Sequence, residues 1–260
     1  MDLKNNLRTE TDWEIIESAF NPDQLITTGS NFMIGNGYLG YRGTFEEWEA
    51  KEYVACVVTD TWDRAEGSKW SELCNVPNAL FTQLFVDDEM LSAFSGETKA
   101  YYRALNFKYG TNRRNVVWQS GAGKKVELNT EKFASYDHHH LLVMRYSFKA
   151  LNKGTYKLIT GIDGRVWSIN GEHFKSYEPF DNEGLVGLKM KTIELGTEVV
   201  VTEGIKLNGA SPKSSGILEE DKRILREYVF ELEPEEEVFF EKVVSITHNN
   251  EIEHLLEMAK

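Results

Sequence analysis

The strongest constraint on this chain is alternation. Leu142, Met144, Tyr146 and Phe148 share one face of an extended segment whose other face carries Val143, Arg145 and Ser147. Successive side chains of a strand point to opposite faces, so such a run is a strand with one face buried. Residues 126–133, 155–160, 198–202, 225–232 and 237–246 read the same way. Turn-forming residues separate them: Ser120-Gly-Ala-Gly, Asn152-Lys-Gly, Asp163-Gly, Asn170-Gly, Asn208-Gly and Glu233-Pro. Glycine and asparagine tolerate positive φ, and proline holds φ at a negative value suited to the first corner of a turn. In the first half, residues 53–59, 80–86, 101–107 and 115–119 are strand candidates, and a turn at Asp87-Asp88-Glu89 joins two of them. Helical periodicity is strong only at the end, where Ile252, Leu255, Leu256 and Met258 follow Asn249-Asn250, a plausible N-cap. Roughly a dozen short strands with almost no helices imply an all-β chain, a large antiparallel β-sandwich (super-sandwich) rather than βαβ units. The division expected is a sandwich over residues 1–248 and, over 249–260, the start of a helix cut short from a longer polypeptide. A C-terminal strap is the alternative.

Charge narrows the function classes. Twenty-nine Lys and Arg stand against 42 Asp and Glu, a net charge of −13. Such a surface repels phosphate backbones, so nucleic acid is not an expected partner. Apolar stretches such as residues 81–86 are far too short to span a membrane. The start, MDLKNN, has no apolar signal core. Two cysteines, Cys56 and Cys74, cannot build a disulfide scaffold, which fits a reducing compartment and an expected cytoplasmic location.

Several motifs invite chemistry. Gly35-Asn-Gly-Tyr-Leu-Gly40 matches the dinucleotide fingerprint in letters. That mechanism needs a helix N-terminus next, and Tyr41-Arg-Gly-Thr-Phe45 opens a helix poorly, so tight-turn glycines are the better reading. Gly121-Ala-Gly-Lys124 lacks the leading glycine of a phosphate loop and has Lys125 where Ser or Thr is required, so it reads as a hairpin turn. In a strand, His138 and His140 would face one way and His139 the other, which brings at most two ligands together. These read as histidines at a strand start rather than a metal site. The acidic clusters Glu46, Glu47, Glu49 and Asp60, Asp63 have the composition of solvated faces. No Gly-x-Ser-x-Gly elbow exists. The most informative segment is 60–73, DTWDRAEGSKWSEL, where Trp62 and Trp70 sit among Asp60, Asp63 and Arg64. Sugar rings stack on aromatic faces and hydrogen-bond to such charged groups. The competing reading is that both tryptophans pin a long loop to the protein's own surface.

The chain then resembles glycoside hydrolase family 65. Trp13-Glu-Ile-Ile16 and the run SNFMIGNGYLGYRGTFEE from Ser30 to Glu47 carry the resemblance. It continues through Glu72-Leu-Cys-Asn-Val-Pro-Asn78, Arg103-Ala-Leu-Asn-Phe107 with Arg113 and Arg114, Glu131-Lys-Phe-Ala-Ser135 and Gly161-Ile-Asp-Gly164. Val58-Thr-Asp-Thr-Trp-Asp63 and Val166-Trp-Ser-Ile-Asn170 are most similar to the glucosylglycerol phosphorylase branch. Asn106 stands where the family commonly has Asp, and Lys132 where it commonly has Arg.

The resemblance implies an inverting α-glucoside phosphorylase, acting on maltose, trehalose, kojibiose, nigerose or a related compound. It implies an N-terminal β-sandwich, a helical linker and an (α/α)6 barrel. The barrel carries the general acid and the phosphate pocket, so no catalytic residue is carried over to this chain and the 260 residues alone are expected to be inactive. No metal or organic cofactor is implied; inorganic phosphate is the co-substrate of the whole enzyme. The expected partners are the chain's own barrel, a second copy in a homodimer, and an α-glucoside. Asp60, Trp62, Asp63, Arg64 and Trp70 are the candidates for a loop lent to the rim of the sugar site. A free-standing carbohydrate-binding module and a domain of an α-glucoside hydrolase are the rival readings.

Overall fold

A computed structural model describes residues 7–8 and 12–250. Among these, twenty strands are, in chain order, β1 Leu7–Arg8, β2 Glu14–Glu17, β3 Ile34–Gly35, β4 Leu39–Tyr41, β5 Cys56–Val58, β6 Trp62–Asp63, β7 Glu72–Leu73, β8 Thr82–Val86, β9 Glu89–Met90, β10 Glu97–Asn106, β11 Thr111–Gln119, β12 Lys125–Ala134, β13 Leu141–Ala150, β14 Gly154–Asp163, β15 Phe174–Asn182, β16 Leu185–Thr192, β17 Glu198–Gly209, β18 Ser214–Glu220, β19 Arg223–Leu232 and β20 Glu237–His248. One sheet of ten strands runs β1-β2-β10-β11-β12-β13-β20-β17-β16-β15, and a second of five runs β18-β19-β14-β8-β9. The strands β3-β4-β5 form a small sheet and β6-β7 a ribbon. The all-β reading is correct, and the alternating runs are the long central strands. The helix expected at the end lies, from residue 251 on, outside the described residues.

Alternation builds the core. Leu142, Met144, Tyr146 and Phe148 on β13 are buried together with Val238, Phe240, Val244 and Ile246 on β20. The two strands pair with Tyr146 opposite Phe240, and those rings stack with centroids 5.1 Å apart. Opposite them Tyr156 and Leu158 of β14 and Phe230 of β19 bring the second sheet's inward face. Phe148 meets Tyr156 at 6.0 Å and Phe230 at 5.9 Å.

Toward one end the inward face turns ionic. Asn112 and Arg114 on β11, and Thr130 and Lys132 on β12, occupy buried positions where apolar residues would be expected. The segment after β4 folds over them. Arg114 Nη1 donates to Glu46 Oε2 at 2.9 Å, and its two amino groups hold Glu47 bidentately at 2.7 and 2.9 Å. Lys132 Nζ donates to Thr44 O at 2.6 Å and lies 2.8 Å from Glu46 Oε1. Glu46 and Glu47 are therefore buried partners of the sheet rather than a solvated face. A second cluster ties the two sheets together. Lys242 of β20 bonds Gly161 O of β14 at 2.8 Å and lies 2.6 Å from Glu203 of β17, which also receives Arg226 of β19 at 3.0 Å.

Two local expectations change. The turn at Asp87-Asp88 has positive φ at both residues, 45° and 70°, and closes a hairpin onto β9. It does not lead into β10, which belongs to the other sheet. The helix α1, Leu25–Asn31, has no apolar stripe and buries only Thr28 and Gly29. It follows a short turn, Pro22–Gln24, capped by Asn21 Oδ1 accepting from Asp23 N at 3.0 Å. No helix of the described residues is long and apolar enough to cross a membrane.

Candidate functional site

The ribbon β6–β7 frames segment 60–73. Thr61 Oγ1 donates to Val58 O at 2.8 Å, and Cys74 N donates to Thr61 O at 2.9 Å, which closes the ribbon's base. Its register places Trp62 opposite Leu73 and Asp63 opposite Glu72. Alternate side chains take opposite faces. Trp62 is thus turned outward and 48% exposed, while Asp63 is 0% exposed. Trp70, 60% exposed, rides on the loop ahead of β7, where Ser68 Oγ donates to its carbonyl at 3.1 Å.

The five rim candidates therefore divide by role. Trp62 and Trp70 present aromatic faces to the outside. Arg64 is half exposed but bonds Glu194. Asp60 is exposed, adopts φ 58°, and its carbonyl accepts from Asn250 Nδ2 at 2.9 Å. Asp63 is turned inward. Its Oδ1 accepts the amides of Glu194 at 3.1 Å and Leu195 at 2.9 Å, so it anchors the ribbon to the turn after β16. Glu72, which the sequence reading did not single out, anchors the other strand. It accepts from Asn170 N at 3.2 Å and Nδ2 at 2.7 Å, and its Oε1 lies 2.7 Å from His173 Nε2.

Beneath β7 lies a cleft of about 200 Å³ between Val57, Leu73, Trp167 and Ile169, with Glu72 and His173 at its polar end. A neighbouring cleft of about 410 Å³ shares Asn75, Ser168 and His173 with it and adds Arg165, Tyr177 and Lys222. Within it Glu172 accepts from Tyr177 Oη at 3.1 Å and from Lys222, and Arg165 holds Asp163 and Glu49. The surface can offer aromatic faces, an apolar slot and hydrogen-bonding groups. It does not place an acid and a nucleophile around one reacting atom.

The other motifs are structural. Gly35 to Gly40 is the β3–β4 hairpin, with Gly37 at φ 92° and Asn36 Oδ1 accepting from Tyr38 N at 3.1 Å and Leu39 N at 3.0 Å. No helix follows it. Gly121-Ala-Gly-Lys124 is the β11–β12 hairpin turn, and its first two amides hold Glu89 at 2.6 and 3.0 Å. His138 to His140 lie in the turn before β13 rather than alternating on a strand, and the rings of His139 and His140 pack on Tyr38 at 5.0 and 4.5 Å. Among the described residues, no group of three or more His, Cys, Asp or Glu is placed to hold a metal ion. Cys56 and Cys74 are buried, and burial pushes both thiols up to about 12. Asn106 caps the β10–β11 turn by accepting from Lys108 N at 3.0 Å and Tyr109 N at 3.1 Å, and its Nδ2 donates to Glu14 Oε1 at 2.8 Å, a bond an Asp could not make.

Comparison with known proteins agrees with this picture. The chain is 38% identical over 260 residues to the 1,2-alpha-glucosylglycerol phosphorylase of Bacillus selenitireducens, covering 97% of this chain and 33% of that protein. It is 30% identical to the nigerose phosphorylase of Lachnoclostridium phytofermentans, covering 90% of this chain and 34% of that protein. A solved structure described as a putative kojibiose phosphorylase from human microbiome superposes with TM-score 0.83 at 19% identity, over 95% of this chain and 33% of the other. The chain thus spans about a third of the length of these relatives. Residues 15–260 match the model of the glycosyl hydrolase family 65 N-terminal domain, and the chain belongs to that family.

Proposed function

We propose that this chain is the non-catalytic N-terminal domain of an enzyme that cleaves α-glucosides by phosphorolysis with inversion, releasing β-glucose 1-phosphate. The observation that carries the reading is the 38% identity to a 1,2-alpha-glucosylglycerol phosphorylase over nearly the whole chain, against only 33% of that protein. The outward faces of Trp62 and Trp70 are in keeping with a domain that borders a sugar site. In such a reaction an acid elsewhere in the enzyme protonates the glycosidic oxygen while phosphate attacks the anomeric carbon from the opposite face. Phosphate is the nucleophile, so one protein acid suffices.

The sandwich, residues 1–248, would brace the catalytic part, and 249–260 would open the connection to it. Trp62 and Trp70 would lend aromatic faces to the rim of the sugar site. The full-length protein, given phosphate and a panel of α-glucosides with glucosylglycerol and nigerose first, should release glucose 1-phosphate. Glucose released without phosphate would make it a hydrolase. Turnover by the 260-residue chain alone would overturn the non-catalytic role. Trp62→Ala in the full-length enzyme should change the KM of the acceptor sugar, and an unchanged KM for every sugar rejects the rim role.

A further inference from the structure

An open β-sheet ends in edge strands, whose outer amides and carbonyls have no neighbour to satisfy them. Among the described residues the two large sheets end at β1, β15, β9 and β18. Three of these edges are blunt. β1 and β9 are two residues each. β15 carries Pro179 within it, with Lys175, Glu178 and Asp181, and proline and charge discourage a further strand from adding. β18 is different. It has seven residues, no proline, and no charge from Ser214 to Leu218.

β18 also stands clear of the core. It pairs with β19, from Ser214 opposite Val229 to Glu220 opposite Arg223, and among the described residues no strand takes its outer side. Its residues are exposed on both faces apart from Leu218, which is half-buried. Ile217 is 39% exposed, and a side chain at Gly216 would meet open space. An apolar pair at the centre of a long uncovered edge is a liability unless the edge has a partner.

The charges around that centre point to the partner. Lys213 precedes it, and Glu219, Glu220 and Asp221 follow. Lay the strand antiparallel on a second copy, with Ile217 on the twofold axis. Lys213 then stands opposite Asp221, Ser214 opposite Glu220, Ser215 opposite Glu219, Gly216 opposite Leu218, and Ile217 opposite itself. Every acid meets a cation or a hydroxyl, and the apolar residues meet at the centre. A parallel arrangement would set acid against acid. Lys213 reaches Glu231 of its own chain at 3.4 Å, an exposed contact that holds it weakly. Each copy has one such edge, so the pairing uses both and closes as a dimer instead of growing into a fibre.

We propose that β18 is a self-pairing edge: two copies join antiparallel through Ser214–Glu220 about Ile217, and the five-stranded sheet runs on through both. This gives the homodimer expected from the sequence a surface. A seam of seven residues falls short of the roughly 1,200 Å² at which specific, stable interfaces begin, so the association is concentration-dependent. The inference stands on the strand's edge and its charges and is independent of the phosphorolysis proposed above.

The test is sedimentation velocity across a dilution series, on the full-length protein and on the 260-residue chain, with amide hydrogen exchange read over residues 214–220. Both proteins should associate as concentration rises, and those amides should exchange more slowly in the associated state. Ile217→Lys sets two ammonium groups face to face and should abolish the association while leaving the urea midpoint unchanged, because the side chain is exposed. Gly216→Lys, into open space, serves if that variant fails to fold. Lys213→Glu should weaken association about tenfold, and adding Asp221→Lys should restore it. A protein monomeric at every concentration overturns the pairing. So does an association that survives both lysine variants with exchange over 214–220 unchanged, or a Lys213→Glu defect that Asp221→Lys does not relieve. Association by the 260-residue chain but not by the full-length protein also overturns it, since the rest of the polypeptide would then cover β18.

Discussion

Glu46→Gln isolates one buried charge, and its effect can be sized. Burial pushes the Glu46 carboxyl up, but the attraction of Lys132 and Arg114 outweighs it and holds the group at about 2 in place of 4.5. At about 1.4 kcal/mol for each tenfold change in an equilibrium constant, that depression corresponds to about 3 kcal/mol at neutral pH. Orphaning one partner of a buried ion pair gives an independent figure of about 3–5 kcal/mol. The substituted amide keeps the shape of Glu46 and an acceptor for Thr130 Oγ1, which the carboxylate holds at 3.0 Å, but it leaves the Lys132 ammonium facing an uncharged group.

The sign follows from the lowered value. The stabilisation is complete above the unfolded-state value near 4.5 and drains away as pH falls toward 2. Urea unfolding of wild type and variant at pH 7 should therefore differ by about 3–5 kcal/mol. At pH 3 only about 1 kcal/mol of the ionisation contribution is left in the wild type, so the gap should shrink by about 2 kcal/mol. A variant within about 1 kcal/mol of wild type at pH 7, or an equal deficit at both pH values, would refute the reasoning.

Other outcomes follow from the same physics. Glu203→Gln should cost about 3–5 kcal/mol in urea unfolding, because Lys242 and Arg226 lose the carboxylate they share between the two sheets. Phe148→Ala should cost about 3–5 kcal/mol by opening a cavity between Tyr156 and Phe230, read as a lowered urea midpoint. Gly43→Ala should destabilise by about 1–3 kcal/mol or more, since the added methyl would overlap the Phe32 carbonyl, which is backbone and cannot swing aside. Wild-type stability at Gly43→Ala would show that the Phe32 segment shifts freely. Cys56 and Cys74 should react with a thiol reagent at pH 8 only as fast as the chain opens, and burst labelling of the native protein would contradict their burial.

The sheet was legible where strands are half buried and lost where they are not. The β13 run betrays itself because Leu142, Met144, Tyr146 and Phe148 meet a core on one side only. The edge strands β15 and β18 expose residues on both faces, so their sequences carry no alternation to read. Helix α1 is short and buries a threonine and a glycine, which leaves no apolar stripe. The aromatic half of the candidate surface, Trp62 and Trp70, stood out by composition alone. Its support did not. Whether Asp63, Glu46 or Glu47 is solvated depends on partners brought from distant strands, His173, Lys132 and Arg114 among them. No local pattern announces a carboxylate whose partner arrives more than sixty residues later.

The last strand of the fold, β20, lies between β13 and β17, in the middle of the ten-stranded sheet. A ribosome delivering this chain from its N-terminus thus produces two unjoined slabs, β1-β2-β10-β11-β12-β13 on one side and β15-β16-β17 on the other. Each slab waits with a bare row of amides and carbonyls. Only when Glu237–His248 slides between them does either find its permanent neighbour. A nascent polypeptide stalled short of that keystone would carry two sticky seams at once, and its safety during synthesis depends on how soon the final segment arrives or how well a chaperone covers the gap.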